Sequence, residues 1–336
     1  MPLRARIRER LTVTPEQYTK VAWISLVVLS LIVLTGAGVR LTGSGLGCAD
    51  WPRCTTGHVY PPFQTHALIE FGNRVAGALV GVMCAVAVIL AWTRRPYRRD
   101  LFRISWLLPL GVLAQAVLGG VTVRQRLAPG WVMAHFSLSM LIIIAAVALV
   151  WRARHEPGSR PRSTDRISVW SVRALAPLGA LTIVAGTAAT AAGPHSGGAS
   201  GQHIARLTFK GKDTLQWVVN QHATIGALFG CAVIAVWFLR RRRGASPDQL
   251  ELLVTVGVLL AGQGLVGAVQ YELKLPTDMV WVHVGLATTT WVALLWAVCS
   301  AGRLAPRTAP ALTEPPHAAP RTFESVGALS IHDDGG

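Results

Sequence analysis

The chain has 336 residues, 51% of them apolar and 14% charged, and its 32 Lys and Arg against 16 Asp and Glu give a formal net charge of +16. A charged share this far below the roughly 25% of ordinary soluble domains excludes a soluble enzyme and a disordered basic protein, and five cysteines in this length exclude a disulfide-stapled secreted module. The cations fall between long uncharged blocks rather than on a polar surface, so no nucleic-acid partner is expected and the surroundings are a lipid bilayer.

Residues 1–20 form a basic N-terminal segment containing Arg4, Arg6, Arg8 and Arg10. The block after it has the basic flank of a secretory signal, but no small-x-small cleavage site closes it, so it is taken as a span. At about 20 apolar residues per crossing, spans are predicted over 21–39, 66–92, 101–123, 130–151, 171–192, 214–239, 250–271 and 279–299. Pro109 and Pro177 fall inside these blocks and do not count against them, because bundled neighbours satisfy freed backbone groups. The tail, 302–336, is rich in Pro and Ala, lacks apolar periodicity and is expected to be disordered. With Arg103 and Arg173 counted with the loops they adjoin, the N-terminus, the even-numbered loops and the tail hold 23 Lys and Arg, the odd-numbered loops hold 8, and Arg74 lies within a span. This bias places both termini in the cytoplasm and makes Arg240–Arg243 a topology anchor, with anionic-lipid contact as the sharper reading.

The chain also repeats itself. GALVG at 77–81 recurs as GALFG at 226–230, an offset of 149. Gln115 and Gly119 recur as Gln263 and Gly267 at an offset of 148, as do Gly38, Thr42 and Gly45 as Gly186, Thr190 and Gly193. Leu127 with Leu275 and His135 with His283 keep the same spacing. Four spans is an even number, so two such units enter the membrane in the same direction, with a pseudo-two-fold axis along its normal. The expected fold is an all-α integral membrane protein of eight transmembrane helices in two tandem pseudo-symmetric four-helix bundles. The first unit is 21–151, a cytoplasmic linker follows at 152–170, and the second unit is 171–301.

Of ten histidines, His66, His135, His222 and His283 fall in or at the ends of spans, where an ionisable group is costly and by default functional. His222 lies about eight residues into the sixth span and His283 about four into the eighth, which is roughly 6–12 Å below the outer surface at 1.5 Å per residue. Two imidazoles at matched depth on neighbouring helices can clamp a flat iron porphyrin from both faces; the alternative is a pair of core histidines bonded to backbone oxygens. The repeat carries His283 onto His135 but His222 onto Asn73, so the first unit keeps one of the two ligands. His66 and Glu70 share a helical face with Asn73, and His66 either replaces the missing ligand or sits at the interface. Glu70 is the carboxylate well inside a span. Either it pairs with Arg74 at i,i+4, or it moves a proton or stabilises positive charge developing in an oxidation.

Cys48 and Cys54 lie in the first outer loop, on the oxidising side. Their spacing allows a local disulfide, acting as a staple or as a redox pair, whereas a zinc site with His58 lacks further ligands. Cys84, Cys231 and Cys299 read as small apolar packing residues.

Several segments together carry a family resemblance: TGSGLGCADWPRC (42–54), EFGNR (70–74), Gln115–Gly120 with GWVMAH (130–135), AAGPHSGG (191–198), and QYELKLP with WVHVGL. In this order and spacing the chain from Val21 to Cys299 resembles haem A synthase. The resemblance implies a bacterial plasma-membrane oxidoreductase with its haem sites toward the outer face. It would convert haem O to haem A by oxidising a porphyrin methyl group to formyl, for assembly of the terminal oxidase. It implies a resident haem b on His222 and His283, a substrate haem O on His135, Glu70 as a catalytic candidate and Cys48–Cys54 as a disulfide pair. Its partners would be the prenyltransferase that forms haem O, and the oxidase itself. The family's E-x-x-H-R segment reads Glu70-Phe-Gly-Asn73-Arg74 here, so the substrate-side histidine is missing; Arg74 then lies near a haem propionate or against Glu70. A di-haem b-type cytochrome that oxidises quinol and a non-enzymatic haem-handling assembly factor share the same histidines.

Overall fold

Hydrocarbon offers backbone N–H and C=O groups no water, so the chain that enters it bonds within itself, and the apolar blocks here are helical. The computed structural model describes residues 12–304; the first half of the basic N-terminal segment and the tail from 305, expected to be disordered, lie outside the described residues. The helices are α1 (Pro15–Leu41), α2 (Thr65–Thr93), α3 (Arg99–Ser105), α4 (Leu107–Arg124), α5 (Pro129–Arg154), α6 (Arg166–Ala192), α7 (Thr214–Arg242), α8 (Pro247–Glu272) and α9 (Thr277–Ser300). With α3 and α4 taken as one crossing, eight spans are long and apolar enough to traverse a membrane, which makes this a multi-pass membrane protein.

The helix starts follow local chemistry. Thr14 caps α1 through a reciprocal capping box with Gln17, and Pro15, Pro129 and Pro247 occupy first-turn positions where their missing N–H costs nothing. Pro109 lies inside a stretch, Arg99–Arg124, that is still long and apolar enough to cross a membrane, as expected. Its ring nitrogen cannot donate to the carbonyl of Ser105 four residues back, and the helix is interrupted at Trp106, between α3 and α4. Pro177 leaves α6 continuous.

Helices α1, α2, α4 and α5 pack on one another, with α1 and α4 each against α2 and α5; α6 and α8 likewise each pack against α7 and α9. The two sets meet where α5 touches α6 and α9, and where α9 touches α1. Indole N–H groups fasten this seam. Trp291 donates to the Met140 carbonyl at 3.0 Å and Trp281 to the Leu34 carbonyl at 2.9 Å, while Trp23 and Trp296 stack at 5.4 Å.

At the arginine-rich end, Arg94 is wholly buried, 2.7 Å from Glu156, and Asp100 receives both Arg98 and Arg160 at 2.8 Å. Arg243 beside Asp165, the residue that caps α6, holds that carboxyl well below the usual carboxylate range. The expected tail does not begin loose at residue 302. Arg303–Leu304 (β2) pairs in parallel with Arg162–Ser163 (β1), and Arg303 N–H donates to the Pro161 carbonyl at 2.9 Å.

At the opposite end the glycine-rich loops of the two sets interlock. Gly45 N–H donates to the Gly197 carbonyl at 2.7 Å, and Arg40 donates to the carbonyls of His195 and Thr190, both at 2.9 Å.

Close helix approach is tested at Gly179 on α6, where a Cβ would lie 2.6 Å from Leu294 Cδ2 and 3.3 Å from Phe229 Cζ. Gly179→Val should therefore destabilise the detergent-solubilised protein by about 1–3 kcal/mol through overpacking, read as a lower midpoint of thermal aggregation. Gly230, with open space around it, should accept Ala without loss. Equal midpoints for both variants would contradict this packing.

Candidate functional site

The intramembrane histidines are positioned by glycines. His222 on α7 lies against Gly186 of α6, where a Cβ would come 3.0 Å from the imidazole Cε1. His283 on α9 lies against Gly267 of α8, and His135 on α5 against Gly119 of α4, each with a Cβ-to-Cε1 distance of 3.2 Å. The repeat is therefore one of geometry as well as of letters. The Gln263 amide donates to the His283 carbonyl at 3.1 Å, and the Gln115 amide to the His135 carbonyl at 3.0 Å. Gln115 also donates to Ser139. Arg126 and Leu127 after α4 and Lys274 and Leu275 after α8 all adopt positive φ.

His222 and His283 meet. Their ring centroids are 6.2 Å apart, with the planes at 74°. The helices begin at Thr214 and Thr277, so His222 lies eight residues in, as expected, and His283 six rather than four. His222 Nδ1 is 3.0 Å from the Thr182 carbonyl; a carbonyl only accepts, so Nδ1 carries the proton and Nε2 keeps its lone pair. Two imidazoles on opposite sides of one metal, each bonded at about 2 Å, place their ring centroids about 6 Å apart. The separation of the pair thus matches that of two imidazoles sharing one metal. Among the described residues, Nδ1 of His135 and Nδ1 of His283 are buried without a hydrogen-bond partner. Orphaned nitrogens at repeat-related positions call for a partner from outside the chain.

In the first set, Asn73 occupies the place that His222 has in the second. Its Oδ1 accepts from the Thr35 hydroxyl of α1 at 2.8 Å, in nearly the register at which His222 meets Thr182 of α6. His66 is the second residue of α2, exposed, with Nδ1 3.0 Å from the Ser44 hydroxyl. It sits at the mouth of the helix, and only its Nε2 is left for another partner.

Glu70 and Arg74 form the ion pair that their i,i+4 spacing allows, at 2.5 Å. They do more than pair. Glu70 Oε2 accepts the Cys48 N–H at 2.7 Å, and Arg74 donates to the carbonyls of Asp50 at 3.0 Å, Arg53 at 3.2 Å and Cys48 at 3.4 Å. Cys48 and Cys54 are joined in a disulfide, and both are wholly buried. Residues 48–54 are thus a small covalent ring fastened to α2 through Glu70 and Arg74, on the same stretch of helix as Asn73. Thr35, Thr182 and the glycine seats were not singled out from the sequence. The glycines were visible only as repeat positions, and nothing local marks a threonine whose value lies in its carbonyl.

A family model described as "Cytochrome oxidase assembly protein" (COX15-CtaA) matches residues 19–66 and 61–198. A protein named "Heme A synthase" from Alkalihalophilus pseudofirmus is 31% identical over 140 residues, 41% of this chain and 46% of that protein. Another of that name from Bacillus cereus is 26% identical over 133 residues, 38% of this chain and 43% of that protein. The chain spans less than half the length of these curated relatives.

The fastening of the disulfide ring has a measurable consequence. A hydrogen bond to a charged group contributes about 1.5–3 kcal/mol, so Glu70→Ala should expose the Cys48–Cys54 bond to a water-soluble reductant roughly ten- to a hundredfold faster. Glu70→Gln, which keeps an acceptor for the Cys48 N–H, should lie between. Gel-shift labelling of the freed thiols follows the rate, and an unchanged Glu70→Ala rate would mean that Glu70 does not hold the loop.

Proposed function

The chain belongs to the family of cytochrome oxidase assembly proteins, and from that premise we propose that it is a membrane oxidoreductase converting haem O to haem A by oxidising a porphyrin methyl group to formyl, for the terminal oxidase. The observation that carries this reading is the His222–His283 pair with ring centroids at 6.2 Å, joined to relatives named for that synthase.

In this reading residues 21–151 and 171–301 are two tandem four-helix units, linked by 152–170, with both termini on the cytoplasmic side and the haem sites toward the outer face. The matched packing of α1, α2, α4 and α5 with α6, α7, α8 and α9 supports it, as do the paired seats of His135 and His283. The excess of Lys and Arg in the loops at one end supports the orientation.

His222 and His283 would hold haem b, whose iron supplies one-electron chemistry when bound. The hydrogen bond from His222 Nδ1 to the Thr182 carbonyl orients the ring and makes its other nitrogen the better donor. His135 holds the substrate haem O from one side. Asn73, in the place of a second imidazole, leaves the other side weakly held, which suits a site that must release product. His66 can offer only Nε2 from the mouth of α2. Glu70 is the catalytic candidate: Cys48 and Arg74 fix its carboxylate in place, where it balances positive charge developing in the oxidation or takes up the released proton. Haem O would be delivered by the prenyltransferase that makes it, and haem A passed on to the oxidase.

Expression of the chain in cells that accumulate haem O, followed by haem extraction, tests the activity. Haem A should appear, and a folded, haem-loaded protein that yields none refutes the reading. His222→Ala and His283→Ala should each abolish the absorption of the resident haem, and their retaining it would remove the ligand assignment. Glu70→Ala should keep that haem while conversion falls about a hundredfold or more, the scale of a lost proton-transfer group; His66→Ala should weaken conversion only if His66 supplies the second ligand.

A further inference from the structure

One feature of the first unit is not copied in the second. Gln115 and Gly119 have repeat partners in Gln263 and Gly267, but the next position is Gly120 in the first unit and Ala268 in the second. The missing methyl is used. Trp51, inside the Cys48–Cys54 ring, lies directly on Gly120, where a Cβ would be 2.8 Å from the indole Cε2 and nearer still to Cδ2. Arg124, one turn further along α4, donates to the Trp51 carbonyl at 2.9 Å and has its guanidinium carbon 6.0 Å from the indole ring centre. The adjacent residue on α4, Gly119, is the seat of His135.

The loop is therefore fastened on two sides. Glu70 and Arg74 hold it to α2, and Gly120 and Arg124 hold it to α4, bridging the outer ends of two packed helices of the first unit. The disulfide keeps residues 48–54 together, so Trp51 moves with the ring.

We propose that Trp51 is a positioning residue of the first unit: seated on Gly120, it closes the end of the site at His135 and sets how firmly the substrate macrocycle is held. The inference rests on the reading of His135 as the substrate-side ligand. A resident haem needs no closure that opens, and the second unit has Ala268 at the matching position. A site with one strong axial ligand that must admit haem O and release its product needs another means of holding the macrocycle. An aromatic side chain resting on a backbone glycine beside the seat of His135 supplies it, because the contact area is large.

The test uses the purified full chain with the haem it carries, mixed with excess apomyoglobin as haem acceptor and followed by absorbance. Trp51→Ala removes the indole, whereas Gly120→Ala leaves it in the chain and fills its seat. Both should release first-unit haem about tenfold faster or more, while the resident haem, identified by its loss in His222→Ala, transfers at the wild-type rate. Trp51→Phe should restore most of the retention, which loss of folding alone would not produce. If Trp51→Ala does not fold, Gly120→Ala with Trp51→Phe carries the test. First-unit release within twofold of wild type in the folded variants overturns the role of Trp51. A His135→Ala protein that keeps its full haem complement overturns the underlying reading instead.

Discussion

The contact on which the rest depends is an imidazole packed closely against a glycine of the neighbouring helix. A side chain at Gly186, Gly267 or Gly119 would put its Cβ 3.0–3.2 Å from a histidine ring carbon, closer than packed carbons tolerate. Without that side chain the ring can rest on the helix backbone. The partner helices then close around the ring rather than being held apart by it. A buried polar ring in an apolar slab is costly unless its position is fixed and its nitrogens are used. The glycines fix the position, while the glutamine bonds to the backbone of His135 and His283 hold the helices that carry the rings in register.

Within the shared packing of the two helix sets, three differences lie near His135. Asn73 replaces an imidazole and is satisfied by the Thr35 hydroxyl. Gly120 replaces an alanine and receives Trp51. Glu70 and Arg74 bind a disulfide-closed loop for which the second set has no counterpart among the described residues. On the proposed function, a site that keeps its haem and a site that exchanges it would share helix geometry but need opposite holding strengths. In that reading the change at Asn73 and the disulfide-closed loop would alter the holding strength without disturbing the helices.

The two ends of the bundle are stabilised by different chemistry. One end uses charge, with Arg94, Arg98 and Arg160 drawn onto Glu156 and Asp100. The other uses backbone, with glycine-rich loops bonded across the seam and Arg40 filling carbonyls of the second set. The tryptophans between them donate indole N–H groups to carbonyls across the seam, so the two sets are joined by hydrogen bonds as well as by apolar contact.

The sequence by itself determined the eight spans, because uncharged apolar runs of about 20 residues match a helical crossing whose backbone bonds are made within the segment. It also determined the repeat offset and the histidines that interrupt the apolar blocks, because each is a property of spacing along the chain. Hydropathy did not reveal the interruption at Trp106, since it does not register that Pro109 withholds a backbone donor from Ser105. For Glu70, spacing left two possibilities open, an ion pair or a free proton carrier. The tertiary structure showed the ion pair together with a bond to the Cys48 backbone 22 residues away. Only the tertiary structure brought His222 and His283 together, and only it set Trp51 on Gly120, with its carbonyl accepting from Arg124 across 73 residues. The reason is physical: a seat made by the absence of a methyl group has no chemical signature of its own, and becomes visible only when the ring that fills it is in place.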